Sequence, residues 1–557
     1  MLISPFFLML WSCTSPQSEE ASPQEIKATP AQPTTPQKIQ PAVRNPTPGN
    51  QPLPPISPSG TGIFSKKAPQ AQTDPQKSAL CPGCDVFIIS LCSLRKDHVG
   101  LFNSNLFPES LTPHIDSLKQ GHQFTQARSA SNFTLAGLTA ILTGRFGSST
   151  GVTGWDKGLT KDLPTLPEVF GIYGYETAAF TIDSASGFRP DYGLDRGFQH
   201  MQIDSAPPKT PDGRTRAGNY VEGAAALPLI QWLNNRKSEK PLFAMFHSRT
   251  AHFPFVISAP EDGTDPTGLL SLLYEAGHKR KESSSQNALP GMAGGTAQKG
   301  VLPEGRDPLQ AKVRSLGEAG VEIWKEAYKD SIIRMDKDVG VILESLRASG
   351  KLEKSIVVVV ADHGESLNEH NELLHGASFF DGVTNVPLII SVPNLPSEEQ
   401  HSALVSHVDL MPTLLDLIGA VPPAGIDGTS LLPIMLKKET TVRTIALAEG
   451  GVAKHDQKSL PVAIYSLPWI LLRQEYGCGE SRWPPGPVPL CLYDIDKDPL
   501  QKQNLAWHHP NIIDDLTQKW QMYRKSHAMQ KGVPLQLSDA FIEELRQNGY
   551  DFEKGAP

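Results

Sequence analysis

Apolar positions along the chain follow two rhythms. Asp85-Val-Phe-Ile-Ile-Ser-Leu91 is a nearly continuous apolar run of strand length, the pattern of a strand buried on both faces. Pro241 to Phe246, Ser355 to Val360 and Val386 to Ser391 repeat it. Between these runs lie helical patterns, among them Leu135 to Leu142, Val321 to Leu346 and Asp409 to Ile418. Strands alternating with helices predict an α/β fold with a large, mostly parallel sheet sandwiched by helices. Sheets of that kind take their ligands beyond the carboxyl ends of the strands. Past about residue 440 the runs shorten, as in Thr444 to Ala448 and Ala463 to Leu472.

Neither rhythm is present in the first 80 residues. Residues 14–80 are dominated by Pro, Gln, Ser and Thr, too poor in apolar surface to offset the entropy of ordering, and read as a disordered tether. Met1 to Ser12 is a short apolar run, and Leu10-Trp11-Ser12-Cys13 resembles a bacterial lipobox, although the basic n-region of a secretory signal is not matched. The expectation is a lipoprotein signal over residues 1–13 and a lipid anchor at Cys13. The protein would then be exported and held on the bacterial cell envelope, in the periplasm or at the cell surface.

Composition narrows the partners. A net charge of −8 argues against a general nucleic-acid binder, which draws its affinity from phosphate neutralisation. No stretch after the first residues approaches the roughly 20 consecutive apolar residues of a bilayer span. With Cys13 set aside, an exported protein would tend to pair its cysteines. Cys81, Cys84, Cys478 and Cys491 can form two disulfides in any of three connectivities, leaving Cys92 as the free thiol.

The strand-end rule points to Ala361-Asp362-His363-Gly364-Glu365-Ser366, directly after the Ser355 to Val360 run. A carboxylate beside an imidazole at such an end suits a divalent metal, although Asp-His-Gly alone fits an ordinary loop as well. The wider sequence is more specific. Val359 to His370, followed by Leu374-His375-Gly376 and Val386-Pro387-Leu388-Ile389-Ile390, closely resembles the sulfatase family of the alkaline phosphatase superfamily. Thr112-Pro-His-Ile-Asp116, Leu142-Thr143-Gly144-Arg145, Leu194 to Phe198, His252-Phe253-Pro254-Phe255, Val408 to Leu415, Gly425 to Leu431 and Leu492 to Pro499 look like further blocks in the family's order.

The resemblance covers about residues 85–510. It implies a catalytic domain over 81–440 with an insertion at about 256–325, and a small C-terminal α+β subdomain over 441–557. Counting back nine residues from Thr143 reaches Thr134, where sulfatases carry the Cys or Ser that becomes formylglycine. Neither that residue nor the following Pro and Arg are present. Unmodified Thr nucleophiles occur in phosphodiesterases and phosphoethanolamine transferases of the superfamily, so Thr134 reads as a metal-activated nucleophile at a helix N-terminus. The bland alternative is a helix N-cap.

Ile89 to Gly100 resembles a segment in which the family places a metal-binding Asp, and Cys92 occupies that position. Two readings stay open: a softer site of Cys92, Thr134, Asp362 and His363 that favours zinc over calcium or magnesium, or a site that has lost its ligand and its metal. His252 and His375 match residues that contact the ester oxygens or protonate the leaving group. Arg145 is a further candidate for the anion, His247 reads as structural, and the family's Lys or His after Thr177-Ala-Ala-Phe180 is not matched by Ile182-Asp183.

The resulting expectation is a metal-dependent hydrolase of sulfate or, given the Thr, phosphate esters. Its substrate would include envelope glycans or lipid headgroups. The alternatives are a phospho-group transferase using the same Thr and a catalytically degenerate binding protein of the cell surface.

Overall fold

A computed structural model describes residues 79–547 apart from 182–186, 204–222, 261–262, 280–307, 398, 452–459, 475–476, 479–488 and 528–529. The expected signal, the anchor at Cys13, nearly all of the tether, Ile182-Asp183 and the middle of the insertion lie outside the described residues.

Eight strands form one sheet: β1 (Asp85–Leu91), β2 (His122–Arg128), β3 (Glu176–Thr181), β4 (His200–Ile203), β5 (Leu242–Ser248), β6 (Ser355–Val360), β7 (Leu388–Ser391) and β8 (Gln400–Ser406), of which β1, β5, β6 and β7 are the apolar runs read from the sequence. Their order is β8-β2-β7-β6-β1-β5-β3-β4. Val86 pairs with Phe243 on one side and Ile356 on the other, both in parallel register, so β6, β1 and β5 form the centre of the sheet. All of β5 and β6 is buried, as two-sided coverage by helices requires. The run at Val386 to Ser391 is the exception to the parallel pattern: β7 lies antiparallel to both of its neighbours.

The helices include α1 (Thr134–Thr143), α2 (Glu318–Ala348), α3 (Leu410–Ile418) and α4 (Pro510–Ser526). All ten residues of α1 are buried, so it is a core helix without a polar face. It ends at Gly144, whose left-handed backbone (φ 65°) lets its N–H close on the Ala140 carbonyl.

The C-terminal runs form a second, antiparallel sheet of β9 (Ala446–Glu449), β10 (Val462–Ser466), β11 (Trp469–Arg473) and β12 (Leu490–Asp494). Ala463 to Leu472, read as one run, is a tight hairpin in which Ser466 pairs with Trp469. Leu467 and Pro468 turn the chain there without a polar interruption, which is why the pattern continues across the turn. The disulfides are Cys81–Cys84 and Cys478–Cys491, and Cys92 is a buried free thiol. Among the described residues no helix is long and apolar enough to cross a membrane.

Candidate active site

The three central strands deliver side chains to one point. Cys92 follows β1, Asp362 and His363 follow β6, and Arg249 and His252 follow β5. The Cys92 N–H donates to the Ser248 carbonyl at 2.8 Å, tying the ends of β1 and β5 together. From the other side comes α1, whose first residue is Thr134. The cap position belongs to Phe133, so Thr134 does not spend its hydroxyl on capping. Its Oγ1 instead lies 3.4 Å from Cys92 Sγ and 3.1 Å from His363 Nε2.

Gly137 makes this approach possible, because a Cβ at that position would lie 2.6 Å from the Asp362 carbonyl oxygen. Gly137→Ala is therefore expected to destabilise the fold by about 1–3 kcal/mol, although alanine favours a helix by about 1 kcal/mol over glycine. A denaturant midpoint checks this, and an unchanged or raised midpoint would show that the two backbones are not in contact.

Ring tautomers follow from the contacts. His363 Nδ1 donates to the Gly364 carbonyl at 2.8 Å, which leaves Nε2 as the acceptor for the Thr134 hydroxyl. Burial lowers the His363 pKa to about 4, so the ring is neutral at pH 7. Asp362 Oδ1 accepts the His363 N–H at 2.9 Å. Burial opposes its charge, but His363 and His247 outweigh that cost and hold the carboxyl below its ordinary range.

Asp362 Oδ2 is buried without a hydrogen-bond partner. An ionised oxygen in that condition is costly, and a cation is the partner that resolves it. Ligand atoms of Cys92, Asp362 and His363 lie within 4.8 Å of one another. A thiol, a carboxylate and an imidazole are a donor set suited to a divalent metal. Burial, and then the Asp362 charge, push the Cys92 thiol well above its usual range, a balance that a bound cation reverses.

His375 and His252 complete the group. The ring of His375 lies 4.1 Å from that of His363 and 4.7 Å from that of His252. His375 Nδ1 is 3.2 Å from both carboxyl oxygens of Glu365. Burial raises the Glu365 pKa to about 8 and lowers that of His375 to about 3, so at pH 7 the pair is neutral and Glu365 donates to Nδ1. His252 Nε2 accepts from Arg249 Nη2 at 2.8 Å, and its Nδ1 donates to the Phe253 carbonyl.

Of the residues singled out from the sequence, the structure gathers Cys92, Thr134, His252, Asp362, His363 and His375. It does not bring Arg145 to them, because that guanidinium holds the carbonyls of Ala424 and Gly425. His247 lies within β5 against Ser90 Oγ at 3.0 Å. Sequence reading missed Glu365, Arg249 and His407. The first two follow the ends of β6 and β5, where the strand-end rule would have found them. His407 Nε2 donates to the Ala361 carbonyl at 2.9 Å, and its Nδ1 accepts the Ala130 N–H at 3.3 Å, linking the end of β6 to the segment before Thr134.

A central parallel sheet, a helix-borne hydroxyl and a buried metal-ligand group beyond the strand ends define an ester hydrolase of the alkaline phosphatase type. Comparison with known proteins makes this specific. The chain belongs to the sulfatase family, whose model, Sulfatase, matches residues 85–420. It is 24% identical over 374 residues to Delta 4,5-hexuronate-2-O-sulfatase of Bacteroides thetaiotaomicron, covering 62% of this chain and 68% of that one. It is 30% identical over 199 residues to arylsulfatase K of Bos taurus, a match spanning 33% of each chain. A solved phosphonate monoester hydrolase of Agrobacterium radiobacter superposes with a TM-score of 0.58 at 20% identity, over 80% of this chain and 96% of that one. A 2-O GAG sulfatase superposes equally well, with a TM-score of 0.58 at 20% identity over 80% and 92% of the two chains. At that identity the superpositions speak for the fold.

Proposed function

We propose that the protein is a metal-dependent hydrolase of phosphate or sulfate esters in which an unmodified threonine, Thr134, is the nucleophile. The observation that carries this reading is the position of Thr134 Oγ1, in contact with Cys92 Sγ and His363 Nε2 beside the unpartnered Asp362 oxygen. A divalent cation bound by Cys92, Asp362 and His363, with Thr134 beside it, would lower the hydroxyl pKa and offset the charge that develops on the ester. Thr134 Oγ, its proton given up to solvent, forms a bond to phosphorus or sulfur in line with the leaving oxygen, whose bond breaks as it departs. His375 gives the leaving alkoxide its proton from Nε2, and Glu365 replenishes that proton through Nδ1. Water then attacks the phosphorus or sulfur of the phospho- or sulfo-threonine and the bond to Thr134 Oγ breaks, returning the hydroxyl; attack by an acceptor hydroxyl is the alternative fate.

Phosphorus is favoured over sulfur. A sulfated threonine lacks the elimination route that a formylglycine hydrate offers, whereas a phosphothreonine can be hydrolysed directly. Zinc is the favoured ion, because thiolate is a soft ligand. Two disulfides in the described structure support an oxidising compartment, in keeping with export and an anchor at Cys13. The substrate would then be an ester of the envelope, a glycan or a lipid headgroup.

The test is turnover of aryl phosphate, aryl phosphodiester and aryl sulfate by protein reconstituted with zinc, calcium or magnesium. Phosphoester turnover that is highest with zinc supports the reading, and turnover of sulfate alone would overturn the preference for phosphorus. Cys92→Asp is expected to shift the preferred ion from zinc towards calcium or magnesium. An unchanged metal ranking would place Cys92 outside the coordination sphere.

A further inference from the structure

The carboxy-terminal end of the described chain builds a cleft that shares no residue with the metal-ligand cluster. Val533 and Pro534 pair antiparallel with Gly158 and Lys157, and the Leu535 N–H donates to the Asp156 carbonyl at 2.8 Å. A helix over Asp539–Gln547 then lays the buried Phe541 ring against Arg189. The facing wall is the turn Pro190–Tyr192, fixed by the Leu159 N–H on the Tyr192 carbonyl at 3.0 Å and by the Tyr192 hydroxyl on the Trp155 carbonyl at 2.9 Å. The cleft between them measures about 310 Å³, room for a small ligand.

Arg189 gives the cleft its character. Its guanidinium carbon lies 4.1 Å from the centre of the Phe541 ring, and its N–H groups make no hydrogen bond among the described residues. Its ion pair there is with Asp191, 3.9 Å long to a carboxylate that is 70% exposed, a contact that contributes little. A guanidinium stacked on a ring is held flat and offers its edge, a fork that matches two oxygens of a carboxylate or a sulfate. Gln536 and Ser538 line the same space, bringing an amide and a hydroxyl that suit the hydroxyl groups of a sugar ring. Two contacts lead from here to the nucleophile. Phe541 lies 6.3 Å from Trp155, whose ring lies 5.7 Å from that of Phe133, the residue before Thr134. Gly187, two residues before Arg189, packs so closely on Leu135, the residue after Thr134, that a Cβ there would lie 3.1 Å from its side chain.

We infer that this cleft is a subsite for an acidic sugar, a unit carrying a carboxylate or a sulfate, with Arg189 stacked on Phe541 as the group that recognises the anion. The inference deepens the ester-hydrolase reading and rests on it for the link to a substrate: the substrate is a glycan, and its acidic unit is held apart from the ester that reaches Thr134. The amide and hydroxyl beside the fork select a ring with hydroxyl groups over the bare phosphate of a lipid headgroup.

Ligand-observed NMR on the full chain tests this without turnover, with glucuronate, glucose 6-sulfate, neutral glucose and glycerol 3-phosphate as probes. At least one acidic sugar is expected to bind about tenfold or more tightly than glucose, and the tighter of the two identifies the anion. Arg189→Gln should remove that advantage, and Asp362→Asn, which alters the metal-ligand cluster, should leave it in place. Arg189→Lys keeps the charge without the fork and is expected to weaken the acidic sugar by about threefold or more. Acidic sugars bound no better than glucose, an advantage that survives Arg189→Gln, or glycerol 3-phosphate bound more tightly than either sugar would each overturn the subsite. An advantage that depends on Arg189 in a protein that hydrolyses no ester would keep the subsite and defeat only the hydrolase reading.

Discussion

Ester turnover by the Thr134→Ala protein is expected to fall by a factor on the order of 1,000 or more, because the proposed mechanism makes its hydroxyl the group that forms the covalent bond. Its cost to the fold should be small. The hydroxyl donates one hydrogen bond, to His363, and accepts from the Cys92 thiol, contacts worth about 1 kcal/mol each. Zinc content is expected to survive, since three other ligand atoms remain within 4.8 Å of one another. Thr134→Ser should restore much of the rate, because it returns the oxygen without the methyl. Steady-state kinetics beside metal analysis separate these effects. Residual turnover within about tenfold of the parent would place the nucleophile elsewhere and leave Thr134 a helix residue.

The second large effect falls on metal binding. Asp362→Asn keeps the Oδ1 acceptor for the His363 N–H but replaces the partnerless Oδ2 with a neutral amide nitrogen. Zinc affinity is expected to fall by a factor on the order of 100 or more, taking turnover with it. The metal-free variant should be no more stable than the metal-free parent, because the lowered Asp362 pKa means that the ionised carboxylate favours the fold at pH 7. Equilibrium unfolding in chelator, with zinc titration alongside, reads both. A variant clearly more stable than the parent without metal would show that the buried carboxylate strains the fold until a cation arrives.

Much of the central sheet is legible in the sequence because burial on both faces leaves an uninterrupted apolar signature. Ser355 to Val360 is the clearest instance, matching β6 at both ends. Strand direction leaves no such trace: β7 looks like its neighbours, and only pairing reveals that it runs the other way. The cluster that could hold a metal was within reach because Asp362, His363 and Cys92 follow recognisable strands. Arg249 and Glu365 also follow strand ends, but nothing else marks them, since a buried charge carries no further local signature when its partners lie far off in the chain. Arg249 sits between serine and threonine, a context that reads as an ordinary polar loop. Arg145 erred in the opposite direction, because a conspicuous Thr-Gly-Arg block serves to hold residues 424–425 in place.

The short segment ahead of Thr134 is gripped from two sides. His407 takes the Ala130 N–H from within the large sheet's layer, while the Ala130 carbonyl accepts the Glu449 N–H and Ser131 Oγ donates to the Glu449 carbonyl on β9. The carboxy-terminal sheet is thus a splint for the segment that leads into Thr134. A minimal enzyme trimmed to the large sheet would retain the ligand side chains and lose the brace that aims the hydroxyl. Any economy of length in this architecture has to come from its surface loops.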